Sequence, residues 1–378
     1  MTYAAITGWG KCMPPAVLTN ADLATFLETD DEWIVSRTGM KERRVSHVHG
    51  VELAYVASMH ALACAGLKAT DIDLIVYGSC SNDESVPNTA SALQYKLGAD
   101  GAGAMDVNTA CTSFLYSLST ANAMIRTGVV KRALVVGVEI ISRYMDWNNR
   151  GVAVLFGDGC AAVLLEASEE KTGLLAETLG CYGDARGILR IAGYGATYAN
   201  NGVVFGDMEW IFDGPQIFKK AVQGMTDASA KTLLKAGVTA EQIDLVVPHQ
   251  ANSRIIESVA KYAGLPMSKV HLTVSKYGNM SAATVPVALV EALEENRVTP
   301  RAKLLMPAFG AGLTLCSHYV EWGERITPKD VSNVTLAPCE KTALEIVNEI
   351  RKAKENSARS SPGIAASYYV DQKPYGTQ

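Results

Sequence analysis

The sequence predicts a layered α/β/α/β/α protein that contains two copies of one α/β unit. The copies are visible as a repeat, because residues 65–76 read AGLKATDIDLIV and residues 236–247 read AGVTAEQIDLVV, with seven of twelve positions identical at an offset of 171. The same offset also relates the apolar runs 132–135 and 303–306, and it relates Asn108 to Asn279. Three matches at one offset indicate a duplication.

Strand and helix patterns alternate within each copy. In the first copy, residues 73–78 and 133–138 are short runs rich in Val and Ile, and residues 112–127 between them contain no Gly or Pro. Such alternation predicts mostly parallel sheets covered by helices, with an active site where the strand ends of the two copies converge. The second copy repeats the order strand, helix, strand at residues 245–247, 282–296 and 304–306.

The segments that flank the repeat carry helix signals of their own. Near the N-terminus, Thr19 and Asp22 fit a capping box, and Thr29 and Glu32 fit a second one that opens a short helix. Residues 341–356 place apolar side chains at helical spacing, which predicts one amphipathic helix followed by an extended or disordered tail. We therefore predict an N-terminal half, a C-terminal half and an extension, at residues 1–170, 171–322 and 323–378.

Composition narrows the class of protein. The chain has 378 residues, 48% of them hydrophobic and 19% charged, with a formal net charge of −5 and no block of like charges, so we expect no nucleic-acid partner. Neither a signal peptide nor an uninterrupted apolar span is apparent, which predicts a cytoplasmic protein without membrane contact. The eight cysteines lack paired short spacing, which predicts reduced thiols and no metal site.

Three polar segments are candidates for chemistry. Cys111 precedes the predicted helix 112–127, where the helix N-terminus favours a thiolate, the form that attacks thioesters; the alternative is a small buried packing residue. His249 directly follows the strand 245–247, and the alternative is a core histidine bonded to backbone. Asn279 can donate its amide to a substrate carbonyl or simply cap a helix. A Cys-His-Asn set also suits a hydrolase.

Six segments along the chain form one recognisable set. They are residues 19–23 (TNADL), 31–39 (DEWIVSRTG), 156–159 (FGDG), 248–252 (PHQAN), 278–283 (GNMSAA) and 308–312 (AFGAG). With these segments the chain resembles, over about residues 1–322, β-ketoacyl-acyl-carrier-protein synthase III, one of the thiolase-fold condensing enzymes. The resemblance implies a thiolase-like duplicated five-layer fold and a two-stage reaction, in which an acyl-CoA acylates Cys111 and malonyl-acyl carrier protein then undergoes decarboxylative condensation promoted by His249 and Asn279.

The same resemblance implies binding residues, a homodimer and no cofactor beyond the CoA thioester substrates. The resemblance also implies an oxyanion hole formed by the backbone N–H groups of Cys111 and Ala311. The remaining assignments are Trp33 and Arg150 stacked on the adenine of CoA, Arg37 on its phosphates, Val86 and Phe309 in the acyl pocket, and Lys219 and Arg254 at the docking site of the acyl carrier protein.

Two departures from the family pattern affect these expectations. Tyr277 stands where the family usually has a histidine, and Val86 replaces a pocket aromatic, which predicts a larger pocket and a primer longer than acetyl. Three other readings stay open: a non-condensing or secondary-metabolite acyltransferase, a degradative thiolase and a non-catalytic partner subunit. A thiolase usually has a second catalytic cysteine in the late Gly-rich loop, and residues 309–315 contain none.

Overall fold

Two β-sheets organise the protein, which is described by a computed structural model over residues 1–193 and 209–360. The strands are β1 Tyr3–Cys12, β2 Ala16–Thr19, β3 Glu42–Val45, β4 Leu74–Gly78, β5 Gly103–Val107, β6 Arg132–Glu139, β7 Gly159–Ser168, β8 Gly173–Cys181, β9 Leu189–Ala192, β10 Glu209–Phe212, β11 Leu245–Val246, β12 Lys303–Gly310 and β13 Thr314–Glu321. The first sheet has the order β1-β7-β6-β4-β5 and the second β11-β12-β13-β8. Short ribbons pair β2 with β3 and β9 with β10.

Eleven α-helices occur among the described residues. They are α1 Asn20–Ala24, α2 Asp31–Thr38, α3 Gly50–Ala65, α4 Thr89–Leu97, α5 Ser113–Arg126, α6 Arg150–Ala153, α7 Gly214–Ala236, α8 Ser253–Tyr262, α9 Val274–Tyr277, α10 Thr284–Glu294 and α11 Ala343–Ser360. None of them is both long enough and apolar enough to cross a membrane.

The middle layer consists of α5 and α10, which are buried between the two sheets. Leu118 of α5 and Leu289 of α10 share one apolar cluster with Val135 of the first sheet and Met306 of the second. Helices α3 and α4 cover the outer face of the first sheet, while α7 and α8 cover that of the second. This arrangement confirms the predicted α/β/α/β/α order of layers.

The predicted duplication is equally visible in the structure. Helices α5 and α10 begin 171 residues apart, and so do strands β6 and β12. Ala110 and Ser281, one turn before these helices, have φ angles of 52° and 45°, a left-handed conformation that costs a non-glycine residue about 1–3 kcal/mol. Each donates the same local hydrogen bond through its backbone N–H. Ala110 N donates to Asn108 Oδ1 (3.1 Å), and Ser281 N donates to Asn279 Oδ1 (2.8 Å). Both halves therefore retain one strained turn at the same position.

One of the two predicted capping boxes is wrong. Thr19 and Asp22 form the first box, with reciprocal hydrogen bonds of 3.1 and 2.8 Å between side chain and backbone N–H. At the second, the carboxylate of Asp30 accepts from Trp33 N at 2.7 Å, so Asp30 and not Thr29 caps α2. An ionised acceptor binds a helix N-terminus more strongly than a hydroxyl, which explains the shift of one residue.

The C-terminal extension packs on the first half. Its leading part, residues 323–342, which we call the strap, follows the outer surface of α3: Lys329 N donates to Cys64 O (3.0 Å) and His60 Nε2 contacts Val334 O (2.9 Å). Helix α11 follows and confirms the predicted amphipathic helix, whereas the predicted tail beyond residue 360 lies outside the described residues. The division into three domains stays a prediction.

Candidate active site

A cavity of about 810 Å³ lies where the helix starts of the middle layer meet the ends of β11 and β12. Cys111, His249 and Asn279 all line it, so the structure brings the three predicted catalytic side chains to one place. Much of the remaining wall is apolar. Its larger apolar side chains are Ile141, Val154, Leu155, Phe156, Leu189, Ile191, Trp210, Phe212, Ile217, Phe218, Ile255 and Phe309.

Cys111 lies in the single turn of helix that leads into α5. Burial raises the pKa of Cys111 to about 12, against the lowering effect of the Ser281 hydroxyl and of the backbone N–H groups of Cys111 and Ala311. The nearby carboxylate of Glu139 raises it further. Desolvation therefore outweighs the N–H donors, and a pKa of about 12 corresponds to a neutral thiol at pH 7, against the thiolate expected from the helix N-terminus.

This neutral thiol predicts the pH dependence of Cys111 alkylation. A group with a pKa of about 12 gains thiolate in proportion to hydroxide, so alkylation by iodoacetamide should accelerate about tenfold per pH unit from pH 7 to 10. The measurement is site-resolved mass spectrometry of the modified peptide, with the exposed Cys181 as an internal reference in the same sample. A rate at Cys111 that levels off between pH 7 and 8 would show an ionised resting thiol instead.

His249 follows the short strand β11, and its backbone N–H donates to Pro307 O at 2.9 Å. Burial lowers the pKa of His249 to about 3, so the imidazole is neutral at pH 7. Its Nδ1 lies 2.6 Å from Thr284 Oγ1, and that hydroxyl donates to Ser281 O at 2.9 Å. Since a carbonyl only accepts, both contacts are satisfied when Nδ1 carries the proton. This tautomer leaves Nε2 unprotonated, as a proton acceptor.

Asn279 is fixed by its backbone and by one atom of its side chain. Its N–H donates to Leu155 O (2.9 Å), and its Oδ1 accepts from Ser281 N (2.8 Å). The neighbouring Gly278 has a φ of 62°, and a Cβ there would lie 2.8 Å from Leu155 O, so only glycine fits this approach. With Oδ1 engaged, the Nδ2 amide is the group that Asn279 has available for a ligand in the cavity.

The end of β12 approaches the turn that contains Cys111 very closely. A Cβ at Gly310 would lie 2.8 Å from Cys111 N, so the absence of a side chain lets the two segments meet. The N–H groups of Cys111 and Ala311, the predicted oxyanion donors, both lower the pKa of Cys111 as hydrogen-bond donors to its sulfur. The pair forms a site for negative charge beside the nucleophile.

Glu139, a fully buried carboxylate beneath the site, was not predicted from the sequence. It accepts from Ser81 Oγ in a very short hydrogen bond, from Cys80 N (3.1 Å) and from Ala282 N (3.3 Å). Burial raises the pKa of Glu139. It joins the loop after β4 to the turn before α10, and so fixes Ser281 beside Cys111. The available signal was its position at the carboxyl end of the apolar run 133–138, where polar residues mark sites in such sheets.

The entrance of the cavity combines an aromatic ring with cations. The guanidinium carbons of Arg37 and Arg150 each lie 4.6 Å from the ring centroid of Trp33, so the predicted nucleotide-binding residues lie together. Two further arginines in the segment 184–190 (DARGILR) line the cavity and were not predicted from the sequence. No carboxylate among residues 1–193 and 209–360 forms an ion pair with any of the four cavity-lining arginines, Arg37, Arg186, Arg190 and Arg254. This uncompensated charge favours phosphate groups.

The other predicted binding residues divide between the cavity and the surface. Phe309 lines the cavity, as predicted for the acyl pocket, and Lys219 is exposed on α7 outside it. Val86 is 90% exposed and is not among the residues that line the cavity of its own chain, so its assignment to the acyl pocket stays a prediction. Its loop is drawn to the outer face because Asp83 accepts from Gly50 N and Val51 N, both at 2.8 Å.

Tyr277, the departure from the family pattern, has a structural role behind the site. Its hydroxyl donates to Glu291 at 2.5 Å, and Glu291 also pairs with Lys11 (2.9 Å) and Lys276 (3.2 Å). The carboxylate therefore has three donors, and the tyrosine is held away from the cavity, whose walls do not include it. The substitution leaves the three predicted catalytic side chains in place.

Comparisons with known proteins agree with this geometry. The family model described as 3-oxoacyl-[acyl-carrier-protein (ACP)] synthase III matches residues 105–183, and the model of its C-terminal part matches residues 233–322. A Vibrio cholerae protein named beta-ketoacyl-[acyl-carrier-protein] synthase III 2 is 48% identical over 353 residues, which cover 92% of this chain and 96% of that protein. A Roseiflexus castenholzii protein named beta-ketoacyl-[acyl-carrier-protein] synthase III is 41% identical over 324 residues, 85% of this chain and 98% of the relative.

Solved structures give the same result. The 3-oxoacyl-[acyl-carrier-protein] synthase III of Aquifex aeolicus matches with a TM-score of 0.78 and 38% identity, covering 84% of this chain and all of that structure. The Pseudomonas aeruginosa enzyme of the same name matches with a TM-score of 0.80 and 34% identity, over 87% of this chain. Fold, active-site geometry and relatives together show that this chain belongs to the 3-oxoacyl-[acyl-carrier-protein] synthase III family of thiolase-fold condensing enzymes and is an acyltransferase of that type.

Proposed function

We propose that Cys111 takes an acyl group from acyl-CoA and that the acyl-enzyme condenses with malonyl-acyl carrier protein, with loss of carbon dioxide, to give a 3-oxoacyl product. The observation that carries this proposal is the single cavity shared by Cys111, His249 and Asn279 beneath a cationic and aromatic entrance. A thiol, an unprotonated imidazole nitrogen and an amide donor are what the two half-reactions require. The enzyme needs no cofactor beyond its thioester substrates.

In the first half-reaction the thiol of Cys111 attacks the thioester carbonyl while its proton passes to His249 Nε2. The resulting oxyanion accepts hydrogen bonds from the N–H groups of Cys111 and Ala311, each worth about 3–4 kcal/mol in a dry site. The bond to the CoA sulfur then breaks, and the leaving thiolate takes the proton back from His249. The histidine is neutral before and after, which agrees with its lowered pKa.

In the second half-reaction the malonyl carboxylate leaves as carbon dioxide, and the electron pair moves onto the thioester as an enolate. Asn279 Nδ2 and His249 Nε2–H donate to the enolate oxygen. The enolate carbon attacks the acyl carbonyl, a carbon–carbon bond forms, and Cys111 leaves as a thiolate that regains a proton from solvent. For Nε2 to carry a hydrogen, the Thr284 hydroxyl must rotate and donate to Nδ1, which a hydroxyl can do.

Thr284 is therefore expected to matter for both half-reactions, since its hydroxyl serves each tautomer of His249. Thr284→Val keeps the shape and leaves Nδ1 without a partner, which costs about 1–3 kcal/mol, or about five- to 150-fold in kcat/KM. Thr284→Ser retains the hydroxyl and should stay close to the parent. Steady-state kinetics of condensation, with melting temperatures to check folding, make the measurement. Equal activity of the Val and parent proteins would contradict this role.

The experiment that tests the proposed function follows the mass of the intact protein. Incubation with acyl-CoA should add one acyl group at Cys111, and subsequent malonyl-acyl carrier protein should remove it with release of carbon dioxide and formation of 3-oxoacyl-acyl carrier protein. Acylation without carbon dioxide release would favour the alternative of a non-condensing or secondary-metabolite acyltransferase. An absence of acylation by any CoA ester would favour a non-catalytic subunit.

A primer longer than acetyl remains part of the proposal, now on different grounds. Val86 does not line the cavity of its own chain, whereas the cavity wall is rich in apolar side chains such as Leu155, Phe156 and Phe309. Burial of a methylene group is worth about 0.8 kcal/mol, or about fourfold in affinity. We expect kcat/KM for acylation to rise by up to this factor per methylene from acetyl-CoA to medium-chain CoA esters. An optimum at acetyl-CoA would defeat the idea.

The carrier protein, the oligomer and the compartment complete the proposal. Lys219 on α7 and Arg254 on α8 are both exposed, and Arg254 lines the cavity, so an acidic carrier protein that docks there could direct its thioester arm into the cavity. We also propose a homodimer that acts in the cytoplasm, without nucleic-acid or membrane partners, as the family resemblance and the charge pattern suggest.

A further inference from the structure

We propose that helix α11 of the C-terminal extension holds the nucleotide-binding entrance in shape, with Arg351 and Lys354 as positioning residues for the CoA ester. This inference rests on the proposed function, and it takes Trp33 and Arg150 to bind the nucleotide of acyl-CoA, as the family resemblance implies. It assigns a role in substrate binding to a segment that lies beyond the matched family models, which end at residue 322.

Two loops carry the entrance residues. Residues 25–30 lead into α2 and Trp33, and residues 144–149 lead into α6 and Arg150. Arg150 Nη1 donates to Glu28 O at 2.6 Å, which links the second loop to the first. Neither loop has a regular ladder of backbone hydrogen bonds, so their relative position depends on what packs against them.

Arg351 contacts both loops at once. Its guanidinium carbon lies 4.5 Å from the ring centroid of Phe26 in the first loop, and its Nη2 donates to Asn148 Oδ1 in the second at 3.4 Å. Phe26 also meets Trp147 edge to face, with centroids 6.4 Å apart. Three residues later, Lys354 Nζ donates to Met145 O at 2.8 Å. One face of α11 therefore holds the two loops together from outside the cavity.

The helix itself is firmly attached. Ala343, Ile346 and Val347 belong to the same buried apolar cluster as Leu27 and Trp147, and Val347 is fully buried. The strap anchors the segment before it along α3. The Vibrio cholerae relative matches 92% of this chain, a share larger than residues 1–322 can supply, so part of the extension occurs there too.

If α11 positions the entrance, removing its contacts with the two loops should weaken the binding only of substrates that carry the nucleotide. For Arg351→Ala and Lys354→Ala we expect the KM for acyl-CoA to rise about three- to tenfold, the range of a cation–π contact and one hydrogen bond. Both kcat and the kinetics of the same acyl group on N-acetylcysteamine, a thioester without nucleotide, should stay unchanged. Lys352→Ala is the matched control, because Lys352 lies exposed on the same helix and carries the same charge.

The test measures KM and kcat for both thioesters in the full-length parent and variants, with melting temperatures for each. A rise in KM confined to acyl-CoA, absent from Lys352→Ala, supports the inference. Equal effects on both thioesters, or no effect on either, overturn it. If Arg351→Ala does not fold, Arg351→Lys removes the planar guanidinium and keeps the charge. Trp33→Ala distinguishes the failures: if it is selective for acyl-CoA and the α11 variants are not, this inference alone fails, and if it is not selective, the proposed nucleotide site fails as well.

Discussion

A Cys111→Ala protein should form no acyl-enzyme and make no 3-oxo product, a loss on the order of 10⁴-fold or more in condensation. The reason is that no other thiol is available to receive the acyl group. Among the cysteines of the described residues, Cys111 and Cys80 line the cavity. Cys80 donates hydrogen bonds to Glu139 through both its backbone N–H and its thiol. Intact-protein mass after incubation with acyl-CoA, together with assays of the condensed product, gives the measurement.

The same variant should retain one partial activity. His249 and Asn279 remain in place, so malonyl-acyl carrier protein should still lose carbon dioxide without condensing. Cys181→Ala is the matched control, because it removes an exposed thiol and should leave both half-reactions at the parent rate. If Cys111→Ala made the 3-oxo product as fast as the parent, the nucleophile would have to be sought elsewhere.

Asn279→Ala should have the opposite effect to Cys111→Ala. Acylation of Cys111 should stay near the parent rate, and the rate of decarboxylation should fall about 10²- to 10³-fold. The amide donor serves the enolate, and removing one such donor typically has this effect. Asn279→Asp is the sharper variant, since it keeps the Oδ1 that accepts from Ser281 N and exchanges the donor for a carboxylate. Carbon dioxide release and acyl-enzyme mass, measured separately, distinguish the two half-reactions.

An Asn279→Asp protein that decarboxylates at the parent rate would show that the amide does not bind the enolate. A loss confined to Asn279→Ala would assign the residue to the local turn, where its Oδ1 accepts from Ser281 N. A fall in both half-reactions by the same factor would indicate a displaced Ser281 turn and not a missing donor. The melting temperatures of both variants serve as the check on folding.

Much of the architecture was predictable because it repeats. The strands near residues 74 and 245 and the helices after residues 112 and 283 recur at one offset, and apolar runs of 5–8 residues bounded by Gly and polar residues are typical of buried strands. Cys111, His249 and Asn279 stand out because each directly precedes a helix or follows a strand end. These signals are local in sequence, so they can be recognised from a single sequence.

The features that could not be predicted from the sequence depend on contacts between residues that are distant in sequence or compete for one partner. The pKa of Cys111 is set mainly by desolvation in the folded chain, which no local pattern reports. Glu139 acts through Ser81 and Ala282, residues far from it in sequence. The N-cap of α2 differs by one residue because a carboxylate competes with a hydroxyl for the same N–H group.

A cavity shared by both thioesters restricts the kinetics of the enzyme. If acyl-CoA and the malonyl thioester both reach Cys111 past Trp33 and the four arginines, the free coenzyme has to depart before the second donor arrives. The turnover is then a ping-pong sequence, with parallel lines in double-reciprocal plots. Each substrate in excess acts as a competitive inhibitor of the other, because it occupies the enzyme form that its counterpart needs.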